Sequence, residues 1–382
     1  MQRISRRTLL GAGAAVIAGR PTVLRAQART VRVFVGTFTD AFGVELPAYF
    51  GGRDAGRKSR GLYTFTFDTM TGRAGEISLA AEVSNPFNLT VHSNRRVLYA
   101  CRWPTPLDGQ NLTAFAVEGA SLRELNSMRS GGGGPNVGVV DSSGRYLLIT
   151  NFISDNIVCF RLDRDGSLVE RSAMIGEDPG GPHAVVLSRT EHFAIAPEIH
   201  ANRCRVMRFD AREGALETHQ LAADVPDAGP RHLVWHPSHR YLYTSGETGS
   251  SISAWSWDEN KGELKVLQNL TTRPAGFTGR NTPADIAMHP SGRFVYVTNR
   301  GAGTLAGFRI DQSTGALTAV DQAEIDSPSS WSMACDPSGK WALATAQLGD
   351  EVVVYSVDQR TGRLTRTGQT LPVISPTCLR WA

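Results

Sequence analysis

Cysteine is scarce in this chain, with five in 382 residues at positions 101, 159, 204, 335 and 378. No two stand in a C-x-x-C pair and none precedes a histidine in C-x-x-C-H. An odd, scattered set argues against a disulfide framework, a zinc site and a haem attachment. Cys159 in "IVCFRL" and Cys204 in "RCRVMRF" read as small buried thiols in strands. There is no G-x-S-x-G, which removes the commonest serine-nucleophile signal. "GGGGPN" (131–136) precedes a strand-like run and not a helix, so it is a turn and no phosphate cradle.

A long apolar run is missing too. "ISRRTLLGAGAAVIAG" near the start pairs two arginines with a small-residue stretch too short to span a bilayer. Arg6 and Arg7 fit a twin-arginine export signal, and "AQA" (26–28) is a small-x-small cleavage site. Residues 1–28 are therefore expected to be an export signal, read by the twin-arginine machinery and leaving no stable membrane anchor once cut. The mature chain is then periplasmic or secreted. Removing those residues takes away Arg3, Arg6, Arg7, Arg20 and Arg25 and no acid, so 40 basic against 36 acidic residues becomes 35 against 36. Nothing remains to attract nucleic acid or an anionic membrane as a bulk effect.

What the chain has is repetition. Acidic-to-glycine turns recur in "FDTMTGRAG", "FAVEGASL", "LDRDGSL", "FDAREGAL", "WDENKGEL", "IDQSTGAL" and "VDQRTGRL". Their glycines fall at 72, 119, 166, 214, 262, 315 and 362, spaced 47, 47, 48, 48, 53 and 47 residues apart. Repeats of this length, each holding about four short strands and no amphipathic helix, predict a β-propeller. Seven turns predict an all-β, seven-bladed ring over 29–382; a parallel β-helix would repeat at a much shorter period. "VRVFVGT" (31–37) opens the chain and "TCLRWA" (377–382) closes it, so the two ends should pair and leave no open edge. No linker or charge block divides the ring, and "PAYFGGRDAGRKSRG" (47–61) reads as a loop or flap of the first blade.

The repeat phase also places polar residues. Each innermost strand is entered through a similar turn: "NPFNL", "GPNVG", "GPHAV", "GPRHL", "TPADI", "SPSSW" and "SPTCL". The residues after proline, namely Phe87, Asn136, His183, Arg231, Ala284, Ser329 and Thr377, should ring one mouth of the central channel. The second strands return to the same face and end near Trp103, Phe152, Ile199, Glu247, Arg300 and Gln347. Arg231 and Glu247 are equidistant from the turn at His239, so they are expected directly opposite each other on paired strands. His183, Arg231, Glu247 and Arg300 then meet at one rim. Two readings fit that cluster: ion pairs that plug the channel, or a site where guanidiniums hold a carboxylate or oxyanion and an imidazole or carboxylate moves a proton. His92, His236 and His289 share a phase at the inner-strand exit and read as turn residues, while His232 reads as packed and no metal ligand.

Taken together, "VFVGTFTD", "GLYTFTFDTMTG", "GPRHLVWHPSHRYLYTSGE", "GFTGRNTPADIAMHPSGRFVYVTNRG" and "SPTCLRW" resemble the seven-bladed propeller lactonases. That group includes the propeller-type 6-phosphogluconolactonases and the fungal 3-carboxy-cis,cis-muconate lactonizing enzyme, and the resemblance spans the mature chain. It implies a metal-free enzyme without cofactor that opens or closes a lactone ring. It points to His183, Arg231, Glu247 and Arg300 as catalytic, and to a small lactone or carboxylate as substrate. Asn136, Asp285, Asn281 and Trp331 are the expected substrate-binding residues, Asn281 through the loop "GFTGRNT" (276–282), which fills the longer 53-residue interval. Asp285 stands where many relatives carry glutamate. Three departures make the pocket less polar: Asn136-Val137 replaces Cys-His, Trp331 an arginine, and Phe152 a tyrosine. They and the export signal argue for an unphosphorylated lactone. A muconate-type cycloisomerase and a non-catalytic binding propeller are the alternatives.

Overall fold

The computed structural model describes residues 29–39, 58–103, 109–176 and 178–382. The export signal and most of the flap of the first blade lie outside these residues. Among those described there is no α-helix, and the strands form seven separate antiparallel sheets. Six sheets have four strands in simple up-and-down order; blade 5, for example, runs Pro230–Trp235, Tyr241–Gly246, Ser251–Asp258 and Glu263–Thr271. Blade 1 is the composite one. Its innermost strand is the C-terminal Pro376–Trp381, which pairs with Thr30–Thr37 from the N-terminal side. Ring closure therefore rests on backbone hydrogen bonds between the two ends of the fold, as the repeat phase implied.

Each sheet is apolar on both faces, because it is sandwiched between two neighbours. The buried side chains accordingly fall into clusters that straddle adjacent blades: Phe193, Ile195 and Val206 of blade 4 pack with Leu242, Trp255 and Leu264 of blade 5. Burial of each such side chain contributes about 1.5–3 kcal/mol. The seven repeat glycines all sit between the third and fourth strands of their blades, with φ from +65° to +89°. Several also make a blade-to-blade contact that excludes a side chain. A Cβ on Gly262 would lie 2.3 Å from the Phe193 ring of the preceding blade, and one on Gly315 would lie 2.4 Å from the Tyr241 ring. Tyr243 and Tyr296 donate their hydroxyls to the carbonyls of Gly315 and Gly362 at 2.9 and 2.8 Å. The repeat glycine is thus both a turn former and the registration point between sheets.

His236 and His289 do the same from the turn between the first and second strands, at the same end of the blade. Their Nε2 atoms lie 3.1 and 2.7 Å from the carbonyls of Gly292 and Gly339 in the following blade, and their Nδ1 atoms bond serines two residues on. They are turn residues, as their phase implied. All five cysteines are free, and Cys159 and Cys204 are buried in strands.

Candidate active site

The mouth of the channel is built by a repeated irregularity. In blade 5 the ladder pairs Pro230 with Gly246 and His232 with Ser245, so Arg231 is an extra residue that opposes nothing. Blade 2 skips Phe87 in the same way, and blade 6 shows a shift between Pro283 and Ile286. Such bulges bend the strand and re-aim a side chain. Arg231 and Glu247 are therefore not opposite each other; Glu247 lies just past the strand end, its N–H donating to the Gly229 carbonyl at 2.8 Å. They meet through their side chains instead. The register corrects a second position: the N–H of Gln347 donates to the Ser329 carbonyl as that of Glu247 does to Gly229, which puts Trp331, and not Ser329, at the place of Arg231 in blade 7.

Four of the expected residues converge. One oxygen of Glu247, Oε2, takes Arg231 Nε at 2.7 Å and Arg300 Nη2 at 3.0 Å. Both arginines are buried, at 2% and 0% exposure, while the Glu247 side chain keeps 19%. Arg231 Nη1 donates to the Ala284 carbonyl at 2.9 Å, and Arg300 Nε to that of Thr282 at 3.0 Å. The Arg300 guanidinium also lies over the Trp331 ring, 4.5 Å from its centroid, a cation–π contact. Burial alone would push the Glu247 carboxyl up, but the Arg300 and Arg231 charges outweigh it and hold it below the usual carboxylate range. Burial, and then the Arg300 cation, pull Arg231 down to about 9, so it stays charged at neutral pH.

His183 stands beside this cluster, its ring centroid 5.2 Å from that of Phe152. Its Nε2 lies 3.0 Å from Asn136 Nδ2 and its Nδ1 lies 3.2 Å from His232 Nε2. Burial, followed by the Arg231 charge, holds its pKa well below the ordinary imidazole value. His183 is neutral at pH 7.

His232 is the residue that the sequence pattern missed. It is buried, as expected, but in a polar chain and not among apolar side chains. Its Nδ1 lies 2.8 Å from Asp285 Oδ1, and Arg231 Nη1 donates to its Nε2 at 3.1 Å. Asp285, expected on the substrate face, is instead spent behind His232. Its oxygens accept from His232, from the Ile286 and Met333 N–H groups at 3.0 and 3.2 Å, and from the Ser332 hydroxyl at 2.8 Å. Asn281 is also removed from the cluster; its amide donates to Asn299 Oδ1 at 3.0 Å inside blade 6. Its loop packs on the strand that carries Arg300, for a Cβ on Gly301 would lie 2.0 Å from the Arg280 carbonyl oxygen. Trp331 serves as a shelf for Arg300 and packs edge-on against Phe38 and Phe87. Among the described residues, no three His, Cys, Asp or Glu side chains are arranged to hold a metal ion.

A propeller with a charged, partly solvent-open cluster at one channel mouth has the architecture of an enzyme whose site is carried by inner strands from several blades. Residues 32–381 match the family "Lactonase, 7-bladed beta-propeller", and the chain belongs to that family. It is 28% identical to a 6-phosphogluconolactonase of Bacillus subtilis, over 72% of this chain and 80% of the relative. It is 30% identical to one of Pectobacterium carotovorum, over 65% and 74%. Among solved structures, the periplasmic gluconolactonase of Pseudomonas aeruginosa superposes with a TM-score of 0.80 at 24% identity, covering 92% of this chain and 99% of that one. That likeness is one of fold.

Proposed function

We propose that this protein hydrolyses a small, unphosphorylated lactone carrying a carboxylate or several hydroxyls, at the channel mouth where Glu247 is pinned between Arg231 and Arg300. That pinned carboxylate is the observation on which the reading rests. Glu247 Oε2 is engaged by both guanidiniums. Both guanidiniums make their closest approach to Oε2 and the side chain is partly exposed, so we assign Oε1 as the oxygen that meets water. In the reaction, water adds to the lactone carbonyl carbon and Glu247 Oε1 takes its proton. The carbonyl oxygen becomes an oxyanion, which the two arginine charges stabilise. The ring C–O bond then breaks, and the proton returns from Glu247 to the departing alkoxide. The product is a hydroxy acid, which ionises and releases one proton. Neutral His183 adds no charge to the cluster, and its two ring nitrogens are held by Asn136 and His232.

The charge count supports the unphosphorylated substrate. With His183 neutral, two arginines against one glutamate leave the cluster one positive charge, enough for a carboxylate or a developing oxyanion. A phosphate ester of about two negative charges asks for more. Phe87, Ala284, Trp331 and Phe152 add apolar wall. The relatives named 6-phosphogluconolactonase set the contrast to be tested. We further propose that residues 1–28 direct export through the twin-arginine machinery, so that the enzyme works on lactones outside the cytoplasm.

The test is acid release followed with a pH indicator, using gluconolactone, its 6-phosphate and a panel of five- and six-membered lactones, with Arg231→Ala as control. Turnover of an unphosphorylated lactone that the control abolishes is the expected result. A preference of tenfold or more for the phosphorylated sugar would refute the substrate assignment, and no acid from any lactone would refute the reaction.

A further inference from the structure

The chain of contacts behind His183 has a direction, and the direction follows from which groups can only give or only take a proton. The Asp285 carboxylate can only accept. Burial acts to raise it, but the bond from His232 and the nearby charges outweigh this and hold it at about 2. His232 must therefore carry its proton on Nδ1 and donate it to Asp285 Oδ1, 2.8 Å away. His232 is neutral, pulled down to about 4 by burial and then by Arg231. Its Nε2 thus holds a lone pair. A guanidinium can only donate, so Arg231 Nη1, 3.1 Å away, meets that lone pair correctly.

The same logic carries to His183. Its Nδ1 faces the His232 lone pair at 3.2 Å and must be the protonated nitrogen. Its Nε2 then holds the lone pair. Asn136 confirms the sense from the far side: its Oδ1 accepts from the Asn88 amide and from the Val137 N–H at 3.1 Å, which leaves its Nδ2 to donate to His183 Nε2 at 3.0 Å. Every donor from Asn88 to Asp285 faces an acceptor, with Arg231 Nη1 and His183 Nδ1–H sharing the one lone pair of His232 Nε2. With His232 turned round, Nε2–H would face the guanidinium and Nδ1 would face the carboxylate lone pairs, two mismatches in a buried site.

We propose that His232 and Asp285 are positioning residues that fix His183 as its Nδ1–H tautomer, with its Nε2 lone pair taken up by Asn136, and so hold His183 and, through His232, Arg231 in place at the site. This rests on the lactonase reading for its consequence in turnover, but not for its chemistry. Neither residue needs to touch substrate. Ser332 and the Met333 N–H complete the support by holding the second oxygen of Asp285.

Long-range 1H–15N spectra of the imidazoles test the tautomer directly in the intact protein, with His183 assigned by loss of its signals in His183→Gln. The wild type should show protonated Nδ1 and unprotonated Nε2 at His183. In Asp285→Ala, His183 should shift to a mixture of tautomers, and kcat on the preferred lactone should fall about tenfold or more with KM little changed. Asp285→Glu, which keeps an acceptor-only group, should restore both. A wild-type His183 protonated on Nε2 overturns the proposal, as do unchanged His183 nitrogen shifts in a folded Asp285→Ala. If Asp285→Ala does not fold, His232→Gln supplies the same comparison. Absence of lactone turnover would sink the functional reading alone, because the nitrogen shifts do not depend on it.

Discussion

The two buried imidazoles give this protein a specific weakness to acid. A histidine whose pKa is depressed by the fold binds its proton in the unfolded chain first, so stability is lost as pH falls below the ordinary value of 6.5 and continues to fall until the folded value is reached. His232 sits at about 4 in the fold, faced by Asp285, Arg231, His183 and Arg380. Between pH of about 7.5 and about 5, a single group of this kind costs about 2 kcal/mol, at 1.36 kcal/mol for each unit below 6.5. Carboxylates contribute little there, since they remain largely ionised in both states. His236, His239 and His289 are also depressed by burial and add to the total, so the wild type alone does not isolate the term. Urea unfolding of wild type and His232→Gln at both pH values does. The variant starts less stable, having lost the bond to Asp285, but it should lose about 2 kcal/mol less than the wild type on acidification. Equal losses in the two proteins would mean that His232 is not a buried neutral imidazole, and the directional chain behind His183 would lose its middle member.

Three shorter expectations follow from the same geometry. Gly262→Ala combines a φ of +68° with a Cβ 2.3 Å from Phe193, and should destabilise by about 2–4 kcal/mol, whereas Gly119→Ala, at φ +65° with open space around it, should cost only about 1 kcal/mol. Equal costs in denaturant melts would show that the glycine is needed for the turn alone. The pH–rate profile should be flat from about pH 6 to about 8, falling in acid as Glu247 takes up a proton below the usual carboxylate range and in base as Arg231, pulled down to about 9, loses its charge. A limb near pH 6.5 would contradict the neutral histidines. Changing Arg6→Lys and Arg7→Lys together should retain the protein in the cytoplasm, and continued export, read by cell fractionation, would dismiss the twin-arginine assignment.

How much of this was legible in the chain depends on how each feature is encoded. The fold is encoded many times over: seven turn glycines recur at near-constant spacing, all but Gly119 packing on the preceding sheet, and one lost signal would still leave six. The convergence of Arg231, Glu247, Arg300 and His183 was legible because these residues lie at strand ends, where phase alone fixes which face of the ring they reach. His232 was not, and the bulge is the reason. Strict alternation puts Arg231 and His232 on opposite faces of the strand. The extra residue at Arg231 cancels one step, and both side chains come to serve the channel. The trace it leaves is a polar residue directly after the rim position in four blades: Asn88 after Phe87, His232 after Arg231, Asp285 after Ala284 and Ser332 after Trp331. All four are buried and hydrogen-bonded. Alternation has no reason to keep a buried polar group at that place in four different sheets. A second ring of the channel does, and the one pair in it that joins an imidazole to a carboxylate is the pair that can decide where a neighbouring histidine keeps its proton.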